Sequence, residues 1–201
     1  MNFFKLFSIP FFTLIASAST FAEQTNKEKV LSTVKNYALN TSCMTTFEQS
    51  EENNFGHPDT SNIYISYTTL DNVYLGINKY YVLWGGFQGC DISATGENIT
   101  YSLTEVEYSE VANRYIIKDP NIIVDVDGED FFTLANISSF ESLDEDTYKI
   151  SLYMFNEHDV DPKTSHLKDN AKPGYYRMLL KRDASAETAN SFKVIEKNRF
   201  Q

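Results

Sequence analysis

The sequence contains few of the residue types on which most catalytic sites depend. Its 201 residues include two cysteines, three histidines and one tryptophan. A Gly-x-Ser-x-Gly nucleophile segment is absent, and so is a glycine loop followed by Lys and Ser or Thr for binding phosphates. We therefore expect no nucleophilic catalysis and no bound cofactor, and the sequence favours a protein that is not an enzyme.

Long apolar runs are equally scarce, and the most prominent one lies at the beginning of the chain. Lys5 precedes an apolar run over residues 6–16, and Thr20 and Ala22 occupy the positions that favour cleavage after residue 22. Residues 1–22 are therefore predicted to be a signal peptide, which leaves a periplasmic or secreted chain of about 179 residues. Because the run is too short to span a bilayer, we expect no stable membrane insertion.

Basic residues are rare in the middle of the chain. Residues 43–160 contain 21 Asp and Glu against four Lys and Arg, whereas residues 161–201 contain five acidic and nine basic residues. Such an acidic segment repels phosphates, which argues against nucleic acid as a partner. The imbalance is typical either of a solvated acidic surface or of a docking face for a cationic protein partner.

The two cysteines, Cys43 and Cys90, are predicted to pair. An even number of cysteines in an exported chain favours a disulfide, and this one would close a loop of about 47 residues and stabilise the fold by about 4 kcal/mol. The alternative is a catalytic cysteine with a distant histidine, which would leave a thiol exposed to an oxidising compartment.

The distribution of β-forming residues indicates an α+β fold. Phe and Tyr account for 28 residues, and they fall in short runs. Thr25 and Glu28 form a capping-box pattern that predicts the start of an N-terminal helix, which ends near Asn40. Its apolar face consists of Val30, Leu31, Val34, Tyr37 and Ala38. The predicted strands are Ile63–Tyr67, Val73–Ile77, Tyr80–Trp84, Ile99–Tyr108, Arg114–Lys118, Ile122–Val126, Phe131–Phe140, Thr147–Phe155, Tyr175–Lys181 and Phe192–Lys197.

These elements are expected to form one domain over residues 23–201, with loose halves 23–118 and 119–201. We expect the N-terminal helix to pack on a mainly antiparallel β-sheet that ends in a C-terminal β-meander. The Cys43–Cys90 disulfide would tie the end of the helix to that sheet.

The strand pattern allows finer predictions. Tyr80–Trp84 is an unbroken apolar run, typical of a central strand that is covered on both faces. Asp127-Gly128 predicts a two-residue type I′ turn and hence a hairpin. Alternation predicts buried faces on the two strands that follow, at Phe131, Thr133, Ala135 and Ile137 and at Tyr148, Ile150, Leu152 and Met154.

Three glycines follow Trp84, namely Gly85, Gly86 and Gly89. They indicate unusual backbone angles or the close approach of another group. The segment is therefore either a structural turn or a ligand loop formed by Trp84, Gly85, Gly86 and Gly89, in which backbone N–H groups would contact an anion.

This segment also carries a resemblance. The run Tyr80–Gly86 ending in Gly89-Cys90, with the loop around Asp161-Pro162, resembles a loose group of small, uncharacterised exported bacterial proteins. The resemblance covers roughly a third of the chain, and the chain departs from the group after Cys90, where residues 91–96 replace a Gly/Ser-rich stretch. It implies export and a β-rich fold but no particular activity.

Acidic and histidine residues cluster in two segments that suggest metal ligands. His158, Asp159, Asp161 and His166, with Glu157 and Asp169 nearby, carry groups that suit zinc, although their spacing matches no helical zinc motif. A second set suggests calcium but lacks the closing Glu of an acidic calcium loop, and it consists of Asp125, Asp127, Glu129 and Asp130. In the first segment we expect a solvated loop instead, and in the second the predicted hairpin accounts for Asp127-Gly128 without an ion.

Together these features predict an exported, non-enzymatic binding protein with an acidic surface, such as an immunity or inhibitor protein for a cationic partner. One alternative is a small metal-assisted hydrolase that uses His158 and His166. Another is a component that maintains the cell envelope.

Overall fold

The computed structural model describes residues 13–48, 60–70, 73–87, 99–129, 132–155, 159–161, 167–169, 171–186 and 190–200. Within these residues the chain forms one α-helix, two 3₁₀ turns at Thr60–Asn62 and Leu134–Asn136, and ten strands in two sheets. The helix α1 spans Thr13–Thr41, and the strands are β1 (Met44–Thr45), β2 (Ile63–Leu70), β3 (Val73–Phe87), β4 (Thr100–Ser109), β5 (Arg114–Asp119), β6 (Asp125–Asp127), β7 (Ile137–Ser142), β8 (Thr147–Met154), β9 (Gly174–Arg182) and β10 (Ser191–Phe200). The predicted α+β class is confirmed.

The first sheet is built around the long strand β3. One edge of β3 pairs with β2 over most of its length and with β1 at its end, while the other edge pairs with β4, which in turn pairs with β5. All four pairings are antiparallel. Asn113 turns the chain from β4 into β5 with a φ of 50°, a left-handed conformation that Asn tolerates better than most residues.

The second sheet has the strand order β6-β10-β9-β8-β7. Strands β7 to β10 are antiparallel neighbours in chain order, which confirms the predicted C-terminal meander. Strand β6 pairs in parallel with β10, so that a segment from the middle of the chain completes this sheet next to its last strand.

Strand β3 lies in the middle of a three-layer arrangement. Tyr80, Val82 and Trp84 alternate with Tyr81 and Leu83 along it, and all five are buried. The first three belong to a core shared with α1, whereas the other two belong to the core between the two sheets. Because successive side chains of a strand point to opposite faces, the apolar run is covered on both sides, as the sequence predicts.

Helix α1 packs on the first sheet through its C-terminal half. Val30, Val34 and Ala38 have no exposed surface, and Leu31 and Tyr37 pack beside them, which confirms the predicted apolar face. The helix ends one residue after the predicted Asn40.

The predicted start of the helix is wrong. Helix α1 already includes Thr13, so Thr25 and Glu28 lie inside it and do not form an N-terminal cap. The preceding residues are rich in Ala and contain no proline after Pro10, and such a stretch continues a helix readily. Among the described residues, no helix combines the length and the apolar character needed to cross a membrane.

Several strand predictions need correction. Val73–Ile77 and Tyr80–Trp84 belong to the single strand β3, because the intervening Asn78-Lys79 pairs with neighbours on β2. In the predicted strand Ile122–Val126, only residues 125 and 126 belong to a strand, namely β6. Ile122 and Ile123 are buried, but they lie before this strand.

The predicted Asp127-Gly128 hairpin is also wrong. Only Gly128 has a positive φ, of 76°, whereas a type I′ turn requires two such residues in succession. The Glu129 N–H donates to the Val126 carbonyl at 3.2 Å, which closes a turn that leads out of β6 without a paired return strand among the described residues.

The strand predicted to follow begins later than expected. Thr133 caps a 3₁₀ turn that contains Ala135, and β7 starts only at Ile137. Ala135 is exposed, so the predicted alternating face fails here, and Phe131 lies outside the described residues. On β8, by contrast, the predicted buried face is confirmed for Tyr148, Ile150, Leu152 and Met154.

Candidate functional site

The glycine segment after Trp84 is part of the first sheet. Gly85 and Gly86 continue β3, where they pair with Tyr101 and Thr100 on β4, so the predicted structural turn or ligand loop is wrong for these residues. Gly89 lies outside the described residues.

Close packing explains why this strand ends in two glycines. A Cβ atom on Gly85 would lie 2.6 Å from Cγ2 of Ile99, and one on Gly86 would lie 2.7 Å from Oγ of Ser42. The N–H of Gly85 donates to Oγ1 of Thr46 at 2.9 Å, so it is not available to an anion. The expected close approach of another group is thus confirmed, although that group belongs to the protein itself.

The indole of Trp84 is also committed to the core. It is 2% exposed and its Nε1 donates to Oγ1 of Thr104 at 2.8 Å. The Thr104 hydroxyl donates in turn to the Pro120 carbonyl at 2.7 Å. Trp84 therefore joins α1, β3 and β4 and does not face a ligand.

The predicted zinc ligands are only partly described. His158 and His166 lie outside the described residues, whereas Asp159 and Asp161 flank a short bridge between Val160 and Leu167. Within the described part of the chain, no three His, Cys, Asp or Glu side chains converge as metal ligands would.

The predicted calcium ligands lie around the turn after β6. Asp125, Asp127 and Glu129 line a cavity of about 380 Å³ whose wall also includes Phe132. The Glu129 carboxylate accepts from Nζ of Lys197 at 2.6 Å, so a lysine already neutralises it. Asp130 lies outside the described residues. The hairpin expected to account for Asp127-Gly128 is not formed, and the Glu129 carboxylate is bound by Lys197.

A set of carboxylates converges at one end of the second sheet, and we call it the acidic end. The start of β8, the end of β9 and the start of β10 meet there, because Thr147 pairs with Lys181 and Phe192 pairs with Arg182. Acidic residues lie just before β8 and directly after β9, and the end of β5 reaches the same place through the bond between Asp119 and Asn190. The acidic end consists of Asp119, Asp144, Glu145, Asp146 and Asp183.

Asn190 and Arg182 hold this end together. Nδ2 of Asn190 donates to Oδ2 of Asp119 at 2.8 Å and to the Asn121 carbonyl at 2.9 Å. Arg182 donates through Nη1 to Oδ1 of Asn190 and through Nε to Oδ1 of Asp146 at 3.0 Å. Asn190 adopts a φ of 67°, and this conformation aims its amide at both sheets. These contacts link the last strand of the first sheet to the second sheet.

Two carboxylates of the acidic end, Asp144 and Asp183, have a lowered pKa. The backbone N–H of Asp146 donates to the Asp144 carboxylate at 2.8 Å and lowers the pKa of that group. Ser185 donates to the Asp183 carboxylate at 2.6 Å, and this bond, with the Lys193 ammonium 2.9 Å away, lowers the pKa of Asp183 to about 2. Glu145 is exposed beside Asp144. Asp144 and Asp183 thus keep their negative charge over the physiological range.

A second ionic cluster lies at the rim of the interface between the sheets. Nζ of Lys79 is 3.3 Å from Glu105 and 3.6 Å from Glu107, and Nζ of Lys118 is 3.6 Å from Glu107. Burial raises the pKa of Glu105 despite the nearby ammonium. Every charge in this cluster has a partner within the protein, so we assign it a structural role.

Sequence reasoning missed the acidic end as a site. The charge imbalance predicts an acidic surface, but the five residues come from three separate segments whose proximity depends on the pairing of β8, β9 and β10. One signal in the sequence was Asn190, which directly precedes β10, since Asn adopts a positive φ more often than most residues.

Comparison with protein-family models, with curated proteins and with solved structures yields no match to this chain.

Proposed function

We propose that this protein is an exported, non-enzymatic binding protein that engages a cationic protein through its acidic end, as an immunity or inhibitor protein would. The observation that carries the proposal is the run of exposed carboxylates at Asp144, Glu145 and Asp146 beside the half-buried Asp183, and the pKa values of Asp144 and Asp183 are lowered. A formal net charge of −11 adds a long-range attraction for a basic partner.

Electrostatic complementarity of this kind acts mainly on the rate of association. Opposite charges steer two proteins together, and the effect falls steeply as salt screens it. An inhibitor that must capture its target before damage occurs benefits from such a rate. The proposal therefore predicts strong dependence of binding on ionic strength.

The experiment compares two charge-matched double variants. Asp144→Asn with Glu145→Gln removes two charges from the acidic end, and Glu28→Gln with Glu110→Gln removes two exposed charges from α1 and from the β4–β5 turn. Proteins are captured at low salt from an envelope extract of the source organism, eluted with salt, and their association rates are measured with both variants.

The expected result is a basic partner whose association slows about tenfold for the acidic-end variant and changes little for the control. Failure to capture any basic protein would refute the proposal, and so would equal slowing by both variants. Zinc bound at one ion per chain, together with hydrolytic activity, would instead favour a metal-assisted hydrolase.

The predicted disulfide belongs to the same proposal. The Cys43 N–H donates to the Phe87 carbonyl at 2.9 Å, which puts Cys43 beside the end of β3. Cys90 lies outside the described residues, but it follows Phe87 by three positions, a span of about 10 Å at most, so a Cα separation of about 5.5 Å is within reach. We expect peptide mapping of the exported protein without reductant to recover the two cysteines in one disulfide-linked fragment. In the same experiment the N-terminal fragment should start after residue 22. Two free thiols would contradict this.

A further inference from the structure

Helix α1 runs through the predicted cleavage site. It spans Thr13–Thr41, so residues 20–23, which flank the predicted cleavage after residue 22, are helical in the full-length chain. The described residues that α1 contributes to the core all lie at Val30 or later in the sequence. A chain that begins at Glu23 therefore keeps these core contacts, but its helix loses about three turns at the N-terminal end.

Cleavage changes the hydrogen bonding at the new end of the helix. In an α-helix each N–H donates to the carbonyl four positions earlier, so the N–H groups of residues 23–26 depend on the carbonyls of residues 19–22. Those carbonyls leave with the removed segment. The new α-amino group on Glu23 also adds a positive charge at the positive end of the helix dipole. Helical structure at Glu23 and Gln24 is therefore disfavoured after cleavage.

The side chains of the first turn after the cleavage site have two possible sets of partners. In the full-length chain, Nε2 of Gln24 donates to Oε1 of Glu28 at 3.4 Å, and Nζ of Lys27 lies 3.6 Å from Oε1 of Glu23. Both contacts join positions four residues apart, so they require Glu23 and Gln24 to be helical. When these two residues leave the helix, Glu28 loses its contact with Gln24.

The second set of partners is a capping box. Thr25 precedes Glu28 by three positions, the spacing at which a threonine at the end of a helix and a following glutamate bond each other's backbone. The Thr25 hydroxyl would accept from the N–H of Glu28, and the Glu28 carboxylate would accept from the N–H of Thr25. A helix that begins at Asn26 thus recovers two of the hydrogen bonds that cleavage removes.

We propose that removal of residues 1–22 moves the start of α1 to Asn26 and converts Thr25 and Glu28 into its N-terminal cap. The capped state and the full-length helix exclude each other, because Thr25 must leave the helical conformation to act as a cap. The proposal rests on the export that we propose above, since it gives a role to cleavage after residue 22. It uses no residue of the acidic end.

The test measures Thr25→Ala in two chains, residues 1–201 and residues 23–201, with the cysteines in the same redox state. The equilibrium constant of unfolding is obtained from urea denaturation. In the shorter chain the variant should raise this constant about fivefold, because alanine cannot accept the capping bond. In the full-length chain it should leave the constant unchanged or lower it by up to about threefold, because alanine is the better residue inside a helix.

Two variants serve as controls. Thr25→Ser keeps the hydroxyl and should preserve the stability of the shorter chain. Asn26→Ala tests a start one residue later, because asparagine is also a favourable cap, and it should change the constant by less than about twofold in both chains. Amide hydrogen exchange gives a direct signal of the cap, since the N–H of Glu28 in the shorter chain should lose protection in Thr25→Ala and retain it in Thr25→Ser.

The proposal is overturned if Thr25→Ala has the same effect in both chains, or if Asn26→Ala and not Thr25→Ala destabilises the shorter one. Unchanged protection of the Glu28 N–H in Thr25→Ala would also overturn it. The shorter chain is produced directly from residue 23, so these measurements give an answer whether or not the cell cleaves at this site. N-terminal sequencing of the exported protein tests the cleavage separately, and capture of a basic partner tests the acidic end.

Discussion

Replacing Asn190 should show how firmly the two sheets are joined. Its amide makes two donated bonds, to the Asp119 carboxylate and the Asn121 carbonyl, and accepts a third from Arg182. Bonds to charged groups contribute about 1.5–3 kcal/mol each and neutral ones about 1 kcal/mol, and partial exposure lets water replace some of this. We expect Asn190→Gly to lower the free energy of unfolding by about 2 kcal/mol.

Asn190→Ala should cost more than Asn190→Gly, because of the backbone. The φ of 67° is in the left-handed region, where the Cβ atom of alanine raises the free energy of the folded state by about 1 kcal/mol. Glycine has no Cβ atom and adopts this conformation without that cost. Asn113 is the matched control, since it has a φ of 50° but is exposed and accepts a bond only from the exposed Tyr108 hydroxyl. The difference in the free energy of unfolding between the alanine and glycine variants should be similar at both positions. The glycine variant should be less stable than the parent protein only at Asn190.

The assay is urea denaturation followed by far-ultraviolet circular dichroism and by the fluorescence of Trp84, the single tryptophan of the sequence. The two signals should change together, which justifies a two-state free energy. If Asn190→Gly unfolds within about 0.5 kcal/mol of the parent protein, the linkage does not stabilise the fold and the reasoning fails.

Three further predictions concern the core. Val34→Ala should destabilise the protein by about 2 kcal/mol because Val34 is fully buried between α1 and the first sheet, whereas the exposed Lys35→Ala should change stability by less than about 0.5 kcal/mol in the same urea assay. Gly85→Ala should cost about 1–3 kcal/mol in thermal unfolding because its Cβ would lie 2.6 Å from Ile99, and an unchanged melting temperature would contradict the packing argument. Burial raises the pKa of Tyr148 from 10.0 to about 12, so its contribution to stability should be complete below pH 10 and lost as the pH rises towards 12. When the folded proteins are titrated and followed by absorbance, the Tyr148→Phe variant should show one fewer phenol that ionises above pH 10 than the parent protein.

The sequence predicts the layers of this fold well because local patterns encode them. Val30, Val34 and Ala38 recur at helical spacing, and Tyr148 to Met154 alternate, so each buried face is evident before any tertiary contact is known. The errors come from non-local contacts. The sequence around Gly85 and Gly86 predicts a turn, but these positions are glycines because Ile99 and Ser42 approach a continuous strand.

The candidate sites follow the same rule. An acidic surface is predictable from composition, but the acidic end forms only when strand register brings Asp144 and Asp183 to the same end of the sheet. The proximity of Tyr153, Tyr175 and Phe200 is also hidden in the sequence, since these residues are separated by 22 and 25 positions and become neighbours only through strand pairing.

The parallel contact between β6 and β10 limits the order in which the chain can fold. Residues 125–127 find their partner only at residues 191–193, so this ladder must close a loop of more than sixty residues. A nascent chain can complete the first sheet and the β7–β8 hairpin early, but it lacks the lysine that neutralises Glu129 and the partner of β6 until its C-terminal residues emerge. Truncation by ten residues should therefore remove most of β10 and leave β6 without a strand to pair with.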